Sequence, residues 1–132
     1  MSVSQSHADR IGGKFVLQLD APSRDFSVVF EDDGDTGYVY ALAPLASGEL
    51  ELLDALHVYN AEEDLRGKDI RVELAWSAHS ARAGLRVNAS LWALFDFTEQ
   101  CGWSRSNFPP PAGKWRMGEE RPAWDDTLVK RL

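Results

Sequence analysis

Ile70-Arg71-Val72-Glu73-Leu74-Ala75-Trp76-Ser77 repeats with a period of two residues. Ile70, Val72, Leu74 and Trp76 fall on one side, and Arg71, Glu73 and Ser77 on the other. That is the pattern of a strand with one buried and one wet face, which antiparallel sheets allow. The same alternation extends in both directions. Upstream, Phe15, Leu17 and Leu19 alternate with Val16 and Gln18, and Phe26, Val28 and Phe30 with Ser27, Val29 and Glu31. Tyr38, Tyr40 and Leu42 follow after a turn. Downstream, Ala78 to Ala81 turns the chain and Ala83, Leu85 and Val87 form a strand. Asn88-Ala89 is a two-residue connection, and Leu91, Ala93, Phe95 and Phe97 form the returning arm of a hairpin.

Between these runs, Leu50, Leu52, Leu56 and Val58 share one face, and Leu53, Ala55, His57 and Tyr59 the other. Apolar residues on both faces predict a central strand. After Phe97 the alternation fails, and Pro109-Pro110-Pro111 sets an irregular, extended arm. A short helix is expected from Pro122 to Arg131. Pro122 suits its first turn, Asp125 and Asp126 its positive end, and Lys130 and Arg131 its negative end. Trp124, Leu128 and Leu132 give it one apolar stripe. The expected fold is mainly β (α+β): an antiparallel meander of about seven strands with a Pro-rich C-terminal arm and a short C-terminal helix.

The chain has 132 residues, enough for one domain that hides roughly two-thirds of its unfolded surface without disulfide or metal staples. Residues 1–12 are polar and patternless and are expected to be flexible, with residues 13–132 forming the globular domain. No basic-then-apolar leader is visible, and the single cysteine, Cys101, has no partner within the chain. Both point to the cytoplasm, and no apolar run is long enough to span a membrane. Net charge is −7 and uneven: residues 1–66 carry 4 basic and 13 acidic side chains, residues 67–132 carry 10 and 8. An acidic surface repels phosphate backbones, so nucleic acid is excluded as a partner and a basic protein is favoured. The acid also serves solubility alone on a plainer reading.

Five positions in the run Phe30-Glu31-Asp32-Asp33-Gly34-Asp35-Thr36-Gly37-Tyr38 hold four carboxylates, Glu31, Asp32, Asp33 and Asp35, between two strands. Gly34 and Gly37 supply turn geometry, and Asp and Thr side chains can bond the turn's own amides. The spacing only partly imitates a calcium loop, so no metal is expected. His57 lies on a strand with Tyr59 on its face and Asp54 facing away, which predicts a hydrogen-bonded structural histidine. Cys101 precedes no helix and lacks a nearby base, so it reads as a small buried hydrophobe. Trp103-Ser104-Arg105-Ser106-Asn107-Phe108 mixes the residue types that dominate binding hot spots. Alternatively, Trp103 and Phe108 pin the arm while Arg105 bonds a carboxylate such as Asp96.

The stretches FEDDGDTGYVYA (30–41), LDALHVYN (53–60), FDF (95–97), GWSRSNFPPP (102–111) and AWDD (123–126) resemble an uncharacterised bacterial domain family across nearly the whole chain from about Phe15. The resemblance implies a compact bacterial domain and carries over no catalytic residue. It also implies a looser turn at His79-Ser80, where the family pattern has Asp-Gly. The residues favour a binding protein over an enzyme: an immunity- or inhibitor-type partner of a basic protein. Its expected contacts are Glu31, Asp32, Asp33 and Asp35 for charge, with Trp103 and Arg105 as anchors. A second reading places a small-ligand or catalytic pocket near His57, Asp96, Cys101 and Arg105. A third is a homodimer or larger homo-oligomer through an open sheet edge. No cofactor is called for.

Overall fold

The computed structural model describes residues 3–62, 65–111 and 113–132. Among them are nine strands: β1 (Val3–Arg10), β2 (Phe15–Asp20), β3 (Ser27–Asp32), β4 (Thr36–Pro44), β5 (Leu50–Asn60), β6 (Asp69–Trp76), β7 (Arg82–Val87), β8 (Ser90–Asp96) and β9 (Cys101–Ser104). They form two antiparallel sheets, β1-β6-β7-β8-β9 and β2-β3-β4-β5. The single meander expected from the pattern is therefore two meanders packed face to face. Residues 3–10 are not a flexible lead-in. They pair along their full length with β6, from Val3 opposite Trp76 to Arg10 opposite Asp69. β9 is the other strand absent from the expectation, and its four residues are too few to show a period.

The alternation in β6 lies as read. Ile70, Val72, Leu74 and Trp76 are almost wholly buried, and they face Leu17, Val28, Phe30, Val39 and Leu56 of the other sheet. Trp76 also ties the sheets by a polar contact, its indole N–H donating to the Leu19 carbonyl at 2.9 Å. In β4 the inward face is the small one. Gly37, Val39 and Ala41 are buried, while Tyr38, Tyr40 and Leu42 look outward. The reason is space. A Cβ on Gly37 would sit 2.8 Å from the Tyr59 ring and 3.0 Å from Phe30. The core there is filled by rings from β3 and β5.

β5 is an edge strand, not a central one. Its apolar second face is explained by the C-terminal arm, which covers the open edge. The His57 N–H donates to the Phe108 carbonyl (2.9 Å), and the Lys114 and Trp115 N–H groups donate to Leu52 and Leu53 (3.1 and 2.9 Å). Covering an edge in this way removes a row of unpaired backbone groups. Two shifts in register leave Leu53 and Val58 without partners on β4. A third shift, at Trp92 in β8, turns Leu91 away from the face of Ala93 and Phe95.

The expected helix is a shorter 3₁₀ segment, Asp126–Arg131, starting four residues later than read. Asp125 remains extended and caps it, its carboxylate accepting from the Thr127 N–H at 2.9 Å. The apolar stripe does dock. Leu128, with Trp124 and Leu132, packs on Leu94, Cys101 and Trp103, outside the first sheet. The turn at Ala78–Ser80 holds His79 and Ser80 at φ +64° and +55°. It is secured rather than loose, because Ser80 is buried and its hydroxyl accepts from the Ser23 N–H at 3.1 Å.

Candidate functional site

The acidic hairpin does not present its four carboxylates alike. Asp32 closes β3 on its inward face and is 1% exposed. It accepts from the Gly12 N–H (2.7 Å), the Gly34 N–H (2.9 Å), the Lys14 N–H (3.4 Å) and the Tyr59 hydroxyl. Burial first, and then the bond to Asp32, push the Tyr59 hydroxyl well above the phenol range. Asp32 is therefore a fastener and is removed from the expected docking face. Asp33 serves the turn's geometry, accepting from the Asp35 and Thr36 N–H groups at 2.9 and 2.8 Å. Those bonds hold its carboxyl below the ordinary value. Asp35 is exposed and shares a loose ion pair with Arg66 at 3.5 Å. Glu31 alone of the four lies on the outward face of a strand, with no basic partner among the described residues.

The four residues of the pocket reading keep separate partners. His57 bonds Ser106 Oγ through Nδ1 (3.1 Å) and Asn60 Oδ1 through Nε2 (2.8 Å). Asp96 is buried and held by Arg82 at 3.1 Å and by the Thr98 and Glu99 N–H groups. Arg82, not Arg105, is thus its basic partner. Arg105 lies between the rings of Trp92 and Trp124, 5.2 and 5.4 Å from their centres, and donates to the Leu91 carbonyl. Cys101 is buried, and burial pushes its thiol pKa up. The hollow beside it, walled by Asp54, Trp115 and Arg121, holds no space for a water molecule and contains none of the other three residues. Trp103 is 7% exposed, under the Arg131 guanidinium, and is an anchor for the C-terminal segment rather than for a partner. Among the described residues no three His, Cys, Asp or Glu side chains gather where they could hold a metal.

One buried centre had no signal in the sequence. Arg121 and Asp54 form a bidentate pair (2.8 and 2.9 Å) with side chains 2% and 1% exposed. Arg121 also donates to the carbonyls of Pro109, Gly102 and Ala55. Gly102 must be glycine, since a Cβ there would lie 2.7 Å from Asp54 Oδ2. The pair clamps the arm against β5 and β9. All its donors and acceptors are used internally, so it is structural.

What remains is the outer face of the second sheet. Register places its outward residues in three rows: Val16, Glu31, Tyr38 and His57; then Gln18, Val29, Tyr40 and Ala55; then Asp20, Ser27, Leu42 and Leu52. Seven of the twelve are aliphatic or aromatic and none is Lys or Arg. Val16 and Leu52 are 61% and 38% exposed, and Phe108 extends the first row past β5 at 52%. Tyr38 and Tyr40 lie nearly parallel, at 15°, with centres 6.1 Å apart. Among the described residues no segment lies over Val16, Tyr38, Tyr40, Leu42 and Leu52. The outer face of the first sheet is the contrast within the same molecule. It carries Arg86 paired with Glu73 (2.8 Å) and Arg82 paired with Asp96, and its apolar part lies under Leu128 and Leu132.

Residues 9–132 match the family described as an uncharacterized protein conserved in bacteria, DUF2251. The chain belongs to that family. The expected resemblance to an uncharacterised bacterial family is thereby shown. A relative in sequence, an uncharacterized protein of Haemophilus influenzae (strain ATCC 51907 / DSM 11121 / KW20 / Rd), is 37% identical over 87 residues. The aligned part is 65% of this chain and 53% of that protein, so the likeness spans about half the relative's length. No solved structure matches. No helix among the described residues of this DUF2251 chain is long and apolar enough to cross a membrane.

Proposed function

We propose that this bacterial protein is a non-catalytic protein-binding domain whose docking surface is the outer face of β2–β5. The observation that carries this reading is the inequality of the two outer faces. One is ion-paired and covered, whereas the other exposes Val16, Tyr38, Tyr40, Leu42 and Leu52 with no cover. Contiguous apolar residues rimmed by polar ones, as here by Gln18, Asp20 and Glu31, are the kind of surface interaction sites use. Four strands about 4.8 Å apart and five residues at about 3.3 Å each give a flat area of roughly 250 Å². That is the central part of a standard interface of about 800 Å² per partner, with Phe108, Leu45 and Leu50 extending it.

The acidic first half of the chain suits a basic partner, as an immunity- or inhibitor-type protein would have. A reducing, cytoplasmic site of action agrees with the buried, unpaired Cys101. A catalytic reading has less support, because His57, Asp96, Cys101 and Arg105 are bonded apart from one another. The test is a tagged full chain expressed in its native bacterium beside a Val29→Lys/Leu42→Lys variant. Both positions are half-exposed, so circular dichroism and Tm should be preserved. A specific partner retained by the natural chain should be lost by the variant. Equal retention by both removes this face as the docking surface.

A further inference from the structure

We infer that the paired rings of Tyr38 and Tyr40, with Glu31 beside them, receive an arginine side chain of the docked partner. The inference rests on the docking-face reading and names the chemistry of what that face takes. Glu31 stands directly opposite Tyr38 across β3 and β4, and Val29 stands opposite Tyr40. The Glu31 carboxylate is therefore the nearest acid on this face to two nearly parallel aromatic rings. Burial first, and then the charges of Glu31 and Asp33, raise the Tyr40 hydroxyl above its ordinary value, which places Glu31 within electrostatic reach of that ring.

The chemistry of these groups selects the ligand. Ring faces attract cations through their quadrupole, and a planar guanidinium can stack on them while its N–H edge meets a carboxylate. Lysine offers a compact, strongly hydrated ammonium that cannot stack in this way. The neighbouring outward residues, Val16, Val29 and Leu42, supply the apolar ground that excludes water around the contact. Some carboxylates elsewhere already hold bases: Glu73 has Arg86, Asp54 has Arg121, and Glu51 has Lys114. Glu31 has no such partner among the described residues, and it stands beside Tyr38 in the first row of the uncovered face.

A second copy of this chain is the wrong occupant. Face-to-face pairing about a two-fold axis would bring together two surfaces that both lack Lys and Arg, leaving each Glu31 without a basic group from the facing surface. Docking of Arg71 or Arg105 from a copy would be head-to-tail and would propagate into an open chain. The charge on the face calls for a different, basic protein.

The test uses ¹⁵N-labelled full chain at low ionic strength and three acetylated, amidated peptides, RVRVR, KVKVK and QVQVQ. Amide shifts are followed during titration, with light scattering on the free chain. The expected result is saturable shifts centred on Glu31, Tyr38 and Tyr40, with RVRVR binding at least about threefold tighter than KVKVK. Glu31→Gln should reduce RVRVR to the level of QVQVQ, and Tyr40→Leu should weaken it by about two- to fivefold. If all three peptides shift the same amides equally and Glu31→Gln changes nothing, the arginine preference is wrong while the docking face stands. If shifts instead gather at residues 33–35 or spread over the acidic surface, both fail. A concentration-dependent dimer that Tyr40→Lys abolishes would assign the face to a second copy and overturn the inference.

Discussion

Replacing Arg121 by Met tests the clamp that holds the C-terminal arm. The substitution keeps most of the side-chain volume but deletes every donor. Asp54, 1% exposed, would keep only the Ala55 N–H at 2.9 Å, and the carbonyls of Gly102, Pro109 and Ala55 would each lose a bond. Each orphaned buried group costs about 1–3 kcal/mol, but water entry limits the sum. Breaking a buried ion pair from one side typically costs about 3–5 kcal/mol. With total stabilities of roughly 5–15 kcal/mol, the variant would lose a large share of its margin. A urea slope of about 2 kcal/mol per M moves the midpoint down by about 2 M. Chemical denaturation gives that shift. Hydrogen exchange locates it, because the amides of His57, Lys114 and Trp115 pair the arm with β5 and should lose protection before β6 does. Replacing both partners, Asp54→Leu with Arg121→Met, should recover half or more of the loss, since an apolar pair leaves no charge buried alone. A loss under about 1 kcal/mol for Arg121→Met, or intact protection of those three amides, would show that the arm is held by something else.

Three further outcomes are expected. Ala89 sits at φ +72° in the two-residue turn between β7 and β8, so Ala89→Gly should raise stability by about 1 kcal/mol; no rise in the urea midpoint would mean the turn is not strained. Cys101 should resist Ellman's reagent in the native chain at pH 8 and react at once in guanidinium, because burial both shields the thiol and raises its pKa; fast native labelling would show that the C-terminal segment opens readily. Asp33 has a lowered folded pKa, so its contribution is complete above the ordinary value of 3.8 and is lost as pH falls through the lowered folded value. The Thr36 amide shift should titrate in that lower window and lose the transition in Asp33→Ala; a Thr36 shift that is flat with pH would remove the turn bond.

The strands that alternate strongly were legible because burial on one face leaves a period in the sequence. β6 shows this best, with its wet positions Arg71 and Glu73. β1 was not legible, since its half-buried positions include His7 and Asp9, and pairing with β6 rests on backbone bonds that any residue can make. β4 misled through size: Tyr38 and Tyr40 outrank Gly37 and Ala41 in hydrophobicity, yet the small residues face the core because Phe30 and Tyr59 already fill it. Asp32 read as surface acid because its partners, Gly12, Gly34 and Tyr59, assemble only in three dimensions. Asp54 and Arg121 are 67 positions apart, a separation with no periodic trace.

These departures share a direction that bears on the candidate site. Buried carboxylates and an apolar strand face left in water both depart from the usual sorting of residues between core and water. The buried acids Asp32, Asp54 and Asp96 are each answered by internal donors, so they resolve into structure. The outward Tyr38 and Tyr40 touch each other and Tyr38 meets His57, but no covering segment lies over them or Leu42 among the described residues. A local rule broken with compensation marks a fastener, whereas one broken without it marks a place completed by another molecule. By that criterion the outer face of β2–β5, rather than the acidic hairpin tip, is the surface we propose for docking.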